Sequence, residues 1–147
     1  MTRKRTGTPW MPSAEFAKTL VGLTVNLLVR DIDSSLPFFT DVLGLRALYS
    51  DPDFAALEGP GGWHMMVHAD HTLDHSPAEW SRLAESERRG TGAEIRILGL
   101  DPDLVESRAR ALGYTVNAAV KTYPHGWREC RLEDRNGYQF AVGVLAT

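Results

Sequence analysis

The sequence contains a single cysteine, Cys130, among its 147 residues. That rules out an intrachain disulfide and suits a reducing compartment. No apolar run is long enough to cross a bilayer. The stretch that follows the basic Arg3-Lys4-Arg5, from Thr6 to Pro12, lacks the apolar core of a secretion signal. A cytoplasmic protein that makes no membrane contact is therefore expected. Excess charge is also scarce. The net charge is -3, and the one basic run sits in an N-terminal tail, so the concentrated basic face that nucleic acid requires is missing and no nucleic-acid partner is expected. No glycine-rich loop leads into a helix, because Gly59-Pro60-Gly61-Gly62 precedes a strand pattern, and phosphate cradling by that route has no support. Nor does a nucleophile stand beside a base: Cys130 reads as a small strand residue, and Ser34 and Ser35 read as helix-capping residues.

What remains is an ordinary globular composition, 43% hydrophobic and 24% charged. Residues 1–19 show no periodicity and read as a flexible extension able to cap or swap onto a neighbouring surface. From Leu23 to Val29 apolar residues alternate, the period of a half-buried strand. Asp33 or Ser34 can cap a following helix that has Pro37 in its first turn, Leu36, Phe39, Val42 and Leu43 as its apolar stripe, and Gly44 as its stop. Three strands follow, Leu45 to Ser50, Phe54 to Glu58 and Trp63 to His68, separated by Asp51-Pro52-Asp53 and the Gly59 to Gly62 turn. The order then repeats. Glu94 to Leu100 reads as a strand, Asp101 to Leu112 as a helix stopped by Gly113, and Tyr114 to Val120, Trp127 to Glu133 and Tyr138 to Val144 as strands, with Asp134-Arg135-Asn136-Gly137 as a hairpin turn. Asp31 and Asp101 open equivalent strand-to-helix junctions, 70 residues apart (101 − 31), as an internal repeat requires. The expected organisation is an extension (1–19), a first β-α-β-β-β module (20–68), a crossover (69–92) with a short helix at Ser76 to Glu87, and a second module (93–147).

The phrases VNLLVRDIDSSLPFFTDVLGL, DPDFAALEGPGG and HGWRECRLEDRNGYQFAV, in this order and in duplicated modules, resemble the vicinal-oxygen-chelate superfamily of glyoxalases, bleomycin resistance proteins and dioxygenases. The resemblance extends from Leu20 to Val144. It implies an α+β fold in which two tandem βαβββ modules form curled mixed sheets around a cleft. It also implies a small-molecule ligand and a homodimer. Metalloenzymes of the superfamily hold their ion from the first and last strand of each module, positions that fall here on Thr24, Met66, Glu94 and Ala141. Only Glu94 is a credible ligand, and one carboxylate cannot replace the hydration a hard divalent ion gives up. A two-residue slip would bring His64 or His68 to the position of Met66.

The expected function is accordingly a metal-independent binder, without cofactor, of a small and partly planar organic molecule such as an antibiotic or metabolite. The alternative is a lyase, isomerase or dioxygenase that holds a divalent metal ion on Glu94 with His64 and His68 and uses Glu94 as its catalytic group. Strand alternation directs Asn26, His64, His68, Glu94, Arg96 and Gln139 toward the ligand side. Glu94 and Arg96 either pair with each other or meet a ligand, with Arg96 as anchor for a carboxylate or phosphate. Trp63, Tyr123, His125 and Trp127 offer flat surfaces near strand ends, for stacking or for packing. His64, His68, His71 and His75 would share one side of a helix, but the glycines before them favour a strand running into a loop, which scatters them. A third possibility, an interaction module without a small ligand, predicts a face filled by the protein's own side chains.

Overall fold

A computed structural model describes residues 6–86 and 88–146. The Arg3-Lys4-Arg5 run and Glu87, the expected end of the crossover helix, lie outside the described residues. The chain divides into two compact units. One comprises the described residues to Leu36 with Leu45–Trp80, and the other comprises Pro37–Gly44 with the described residues from Ser81 onward. Each unit carries a four-stranded mixed sheet, and the β-α-β-β-β order occurs twice.

The first sheet has the order β1-β4-β3-β2, from β1 (Val25–Val29), β2 (Arg46–Ser50), β3 (Phe54–Glu58) and β4 (His64–Ala69). β1 and β4 run parallel, and the remaining pairs are antiparallel. Leu27, Val29, Met65 and Val67 are buried on one face, as alternation dictates. β1 begins two residues later than the alternation suggests, and Leu23 is 94% exposed.

The helix after β1, Ile32–Pro37, is capped by Asp31 rather than by Asp33 or Ser34: its carboxylate accepts the Ser34 N–H at 2.8 Å, and its carbonyl accepts that of Ser35. Pro37 lies at the end of this helix instead of in its first turn. A proline there has no N–H to donate and its ring crowds the carbonyl four residues back. The backbone answers by widening into a π-helical turn, Phe38–Val42, closed by the Leu43 N–H on the Phe38 carbonyl. Gly44 then adopts φ 74°, open to glycine at no steric cost.

The second sheet repeats the pattern as β5-β8-β7-β6, from β5 (Ile95–Leu98), β6 (Thr115–Thr122), β7 (Trp127–Glu133) and β8 (Gln139–Leu145). Between β5 and β6 runs a helix, Pro102–Ala111, capped by the Asp101 carboxylate on the N–H groups of Asp103 and Leu104. One sheet face packs on this helix and on the π-helical turn. Phe38 and Phe39 meet edge to face at 5.4 Å, and both lie against Phe140. Cys130 belongs to this core. Its thiol points at the Pro102 carbonyl, and burial pushes it up to about 12, the signature of an inert packing residue. Asp134 closes the β7–β8 turn by accepting the N–H groups of Asn136 and Tyr138.

Candidate functional site

The sequence candidates divide between the two units. Asn26, Trp63, His64 and His68 belong to the first, and Glu94, Arg96, Tyr123, His125, Trp127 and Gln139 to the second.

In the first unit most of these side chains are occupied. His68, 1% exposed, donates through Nδ1 to Asn26 Oδ1 at 2.5 Å and stacks on Phe54 at 5.3 Å. His64 faces Glu58 at 3.3 Å. Trp63 lies against the backbone of Gly59, where an added Cβ would come within 2.0 Å of the indole. Thr24 donates to the His64 carbonyl. His71 and His75 fall in a 3-10 turn and a loop, so the four histidines are scattered as expected from a strand.

The sequence did not disclose which surface the N-terminal extension caps. The segment read as a flexible extension instead forms a short helix, Ser13–Ala17, whose Phe16 packs on Phe54 and Ala56 beside Tyr49 and Met66. Trp10 stacks on Tyr49 at 4.6 Å. Asp53 holds the start of the segment. This fully buried carboxylate accepts the N–H groups of Thr6 and Gly7, the Thr6 hydroxyl and His71 Nε2. Burial acts to raise its pKa, but the bonds from Thr6, His71 and Gly7 outweigh that and hold it down to about 2. In the sequence, Asp53 was legible only as a turn residue.

The second unit brings Glu94 to Arg96 and Tyr123 to His125, while Trp127 and Gln139 stand at opposite ends of the β7–β8 ladder, across from Leu145 and Glu133. Cys130 and Leu132 point to the helix side, so alternation places Trp127, Glu129, Arg131 and Glu133 on the opposite, open face of β7. Arg96 is the hub of that face. It donates to Glu129 at 2.5 Å and to Glu94 at 3.2 Å, and both carboxylates, Glu129 foremost, hold its guanidinium further above its ordinary pKa. Arg131 Nε faces the other oxygen of Glu94 at 3.4 Å. Beside them Tyr123 and His125 stack parallel at 5.4 Å, with the Lys121 ammonium 4.5 Å from the centre of the Tyr123 ring. A cavity of about 240 Å³ opens next to Glu94, Asn117, Arg131 and Gln139.

Glu129 is the residue that sequence reasoning missed. It is 1% exposed, and it fits only because Gly143 stands across from it on β8: a Cβ there would lie 2.6 Å from the Arg128 carbonyl and 2.8 Å from Glu129 Cβ. Gly143→Ala is expected to lower stability by roughly 1 to 2 kcal/mol, since backbone cannot yield as a side chain tip does. Chemical denaturation measures this, and an unchanged midpoint would contradict the placement.

The sequence of this fold matches a family model, the Glyoxalase/Bleomycin resistance protein/Dioxygenase superfamily, over residues 23–142. The chain belongs to that superfamily. Solved structures similar to it include TioX from Micromonospora sp. ML1, with 20% identity and a TM-score of 0.63, covering 86% of this chain and 98% of that one. A glyoxalase-related enzyme from Fulvimarina pelagi is 16% identical, with TM-score 0.62 and coverage of 84% and 87%. A glyoxylase/bleomycin resistance protein/dioxygenase domain from Frankia sp. EAN1pec is 20% identical, with TM-score 0.61 and coverage of 86% and 99%. At these identities the likeness establishes the fold alone. Comparison with curated proteins returns no match. The family match begins at residue 23, so the segment lying over the first sheet of this superfamily member falls outside it.

The superfamily implies a metal in some members, and the donors here do not fit one. Both oxygens of Glu94 face guanidinium groups, which would repel a divalent cation. Thr24, Met66 and Ala141 complete the implied set, and His68 already bonds Asn26. Among the described residues no three His, Cys, Asp or Glu side chains group to hold an ion. No helix among them is long and apolar enough to cross a membrane.

Proposed function

We propose that this protein is a metal-independent binder of a small, partly planar organic molecule, an antibiotic or comparable metabolite, seated on the open face of the second sheet. One observation carries this: Glu94, Arg96, Glu129 and Arg131 alternate in charge across this face, and Arg131 both lines the cavity with Glu94 and stands 6.0 Å from the Tyr123 ring that stacks on His125. Such an array supplies bidentate donors for an acidic edge and flat surface for a ring. At about 240 Å³ the cavity is smaller than the roughly 300–1,000 Å³ of drug-sized pockets, which favours a single-ring ligand or one ring of a larger molecule. The bleomycin resistance members in the family's description support an antibiotic-like ligand. Trp10 and Phe16 cover the face of the first sheet on which its histidines lie, so the site is assigned to the second sheet alone. A cytoplasmic homodimer belongs to the same proposal, and sedimentation measures the dimer.

Thermal-shift screening of aromatic acids, antibiotics and metabolites against chelator-dialysed protein tests the proposal. A ligand at 100 times its Kd should stabilise the fold by about 2.7 kcal/mol, and Arg131→Ala should abolish that shift. Absence of any stabilising compound, or a stoichiometric metal that survives dialysis and depends on Glu94, would contradict it.

A further inference from the structure

Glu129 presents one oxygen that the fold does not satisfy. Its Oε2 pairs with Arg96, while Oε1 is buried and meets no hydrogen-bond donor among the described residues. The two nearest cationic atoms stop short: His125 Nε2 lies at 3.9 Å and Arg131 Nη2 at 4.0 Å. A buried carboxylate oxygen without a donor is costly, and native proteins rarely leave one so. Here it sits on the face that carries the stacked Tyr123 and His125, with Lys121 in cross-strand register with Glu129.

We infer that Glu129 Oε1 is the atom that reads the ligand, accepting a hydrogen bond from an O–H or N–H of the bound molecule. The charges around it define the remainder of that molecule. Lys121, Arg96, Arg131 and Arg88 give four positive charges against the three of Glu94, Glu129 and Glu133, so a ligand with a single negative charge leaves the cluster neutral. Flat rings beside it favour an aromatic frame. The ligand class is therefore a planar aromatic monoacid bearing a hydroxyl or amino donor on its ring. The inference rests on the proposed binding face and adds the specificity-determining contact within it.

The test is calorimetric titration of the full chain with matched acids, 4-hydroxybenzoate against 4-methoxybenzoate and 3-hydroxybenzoate against 3-methoxybenzoate. Methylation removes the donor and keeps the ring and the charge. In at least one pair the hydroxy acid should bind about tenfold or more tighter, the effect of a hydrogen bond to a charged acceptor. Glu129→Gln should reduce that ratio to about threefold or less, because the neutral amide can turn a donor toward the ether. The wild-type comparison keeps the inference testable if this variant folds poorly. Equal affinities within both pairs, or a preference undiminished in Glu129→Gln, would overturn the role of Glu129 and leave the binding face standing. Failure of all four acids to bind would overturn the ligand class. Failure of the wider thermal-shift panel as well would overturn the binding face itself.

Discussion

Asp53→Ala should destabilise the protein by about 2–3 kcal/mol, the scale of losing hydrogen bonds made to a buried charged group, and should free the N-terminal segment. The carboxylate is fully buried and satisfies the donors of Thr6 and Gly7 together with His71. Removing it orphans those donors and unfastens the start of the segment whose Trp10 and Phe16 lie over Tyr49, Phe54 and Ala56. Urea denaturation gives the energy, and proteolysis at Lys18, which should accelerate, reports the release. The acid dependence has a definite sign. The pKa of Asp53 falls from an ordinary 3.8 to about 2 on folding, so its contribution is complete above the unfolded value and fades as pH falls from about 4 toward 2. The loss is on the order of 2 kcal/mol. Asp53→Asn should flatten that part of the stability profile. An unchanged acid limb, or unaltered proteolysis in Asp53→Ala, would contradict the anchoring role.

Arg96→Ala should cost about 2–3 kcal/mol. That is less than a fully enclosed pair because the Arg96 side chain is 39% exposed, while Glu129 is 1% exposed. Most of the loss arises from leaving Glu129 charged and unpartnered, so Glu129→Gln in the same chain should recover part of it. A double-mutant cycle measures this coupling. Strict additivity of the two substitutions would contradict the pairing.

The fold was legible where local signals agree. Alternation and the turn signals between segments marked the eight strands to within a few residues. Gly44 and Gly113 stopped their helices, and both take positive φ. The Asp31 cap was misplaced by two or three positions because Asp31, Asp33, Ser34 and Ser35 are all competent capping residues, and only the backbone trajectory selects among them. The helix register of Pro37 was lost for the same reason. That the extension could cap a neighbouring surface was legible, but which sheet it covers, and through which side chains, was not. Trp10 and Phe16 show no period of their own, and their partners Tyr49 and Phe54 lie more than thirty residues away.

Of the candidate site, the pairing of Glu94 with Arg96 was anticipated as one of two outcomes, and the structure shows it. The larger network was not, because it depends on Glu129 reaching Arg96 from another strand. A signal for it existed. Glu129, Arg131 and Glu133 alternate along β7, and the strand that pairs with it carries a glycine opposite the first of them. Charged residues repeating at period two in a strand, faced by a residue with no side chain, mark a polar sheet face.

The measurement closest to the central claim is amide chemical-shift mapping of 4-hydroxybenzoate binding in the presence of a chelator. The second-sheet face predicts perturbations centred on Arg96, Glu129, Arg131 and Gly143, unchanged by the chelator. Perturbations centred instead on His64 and His68, or appearing only after a divalent metal is added, would contradict a metal-independent site on that face.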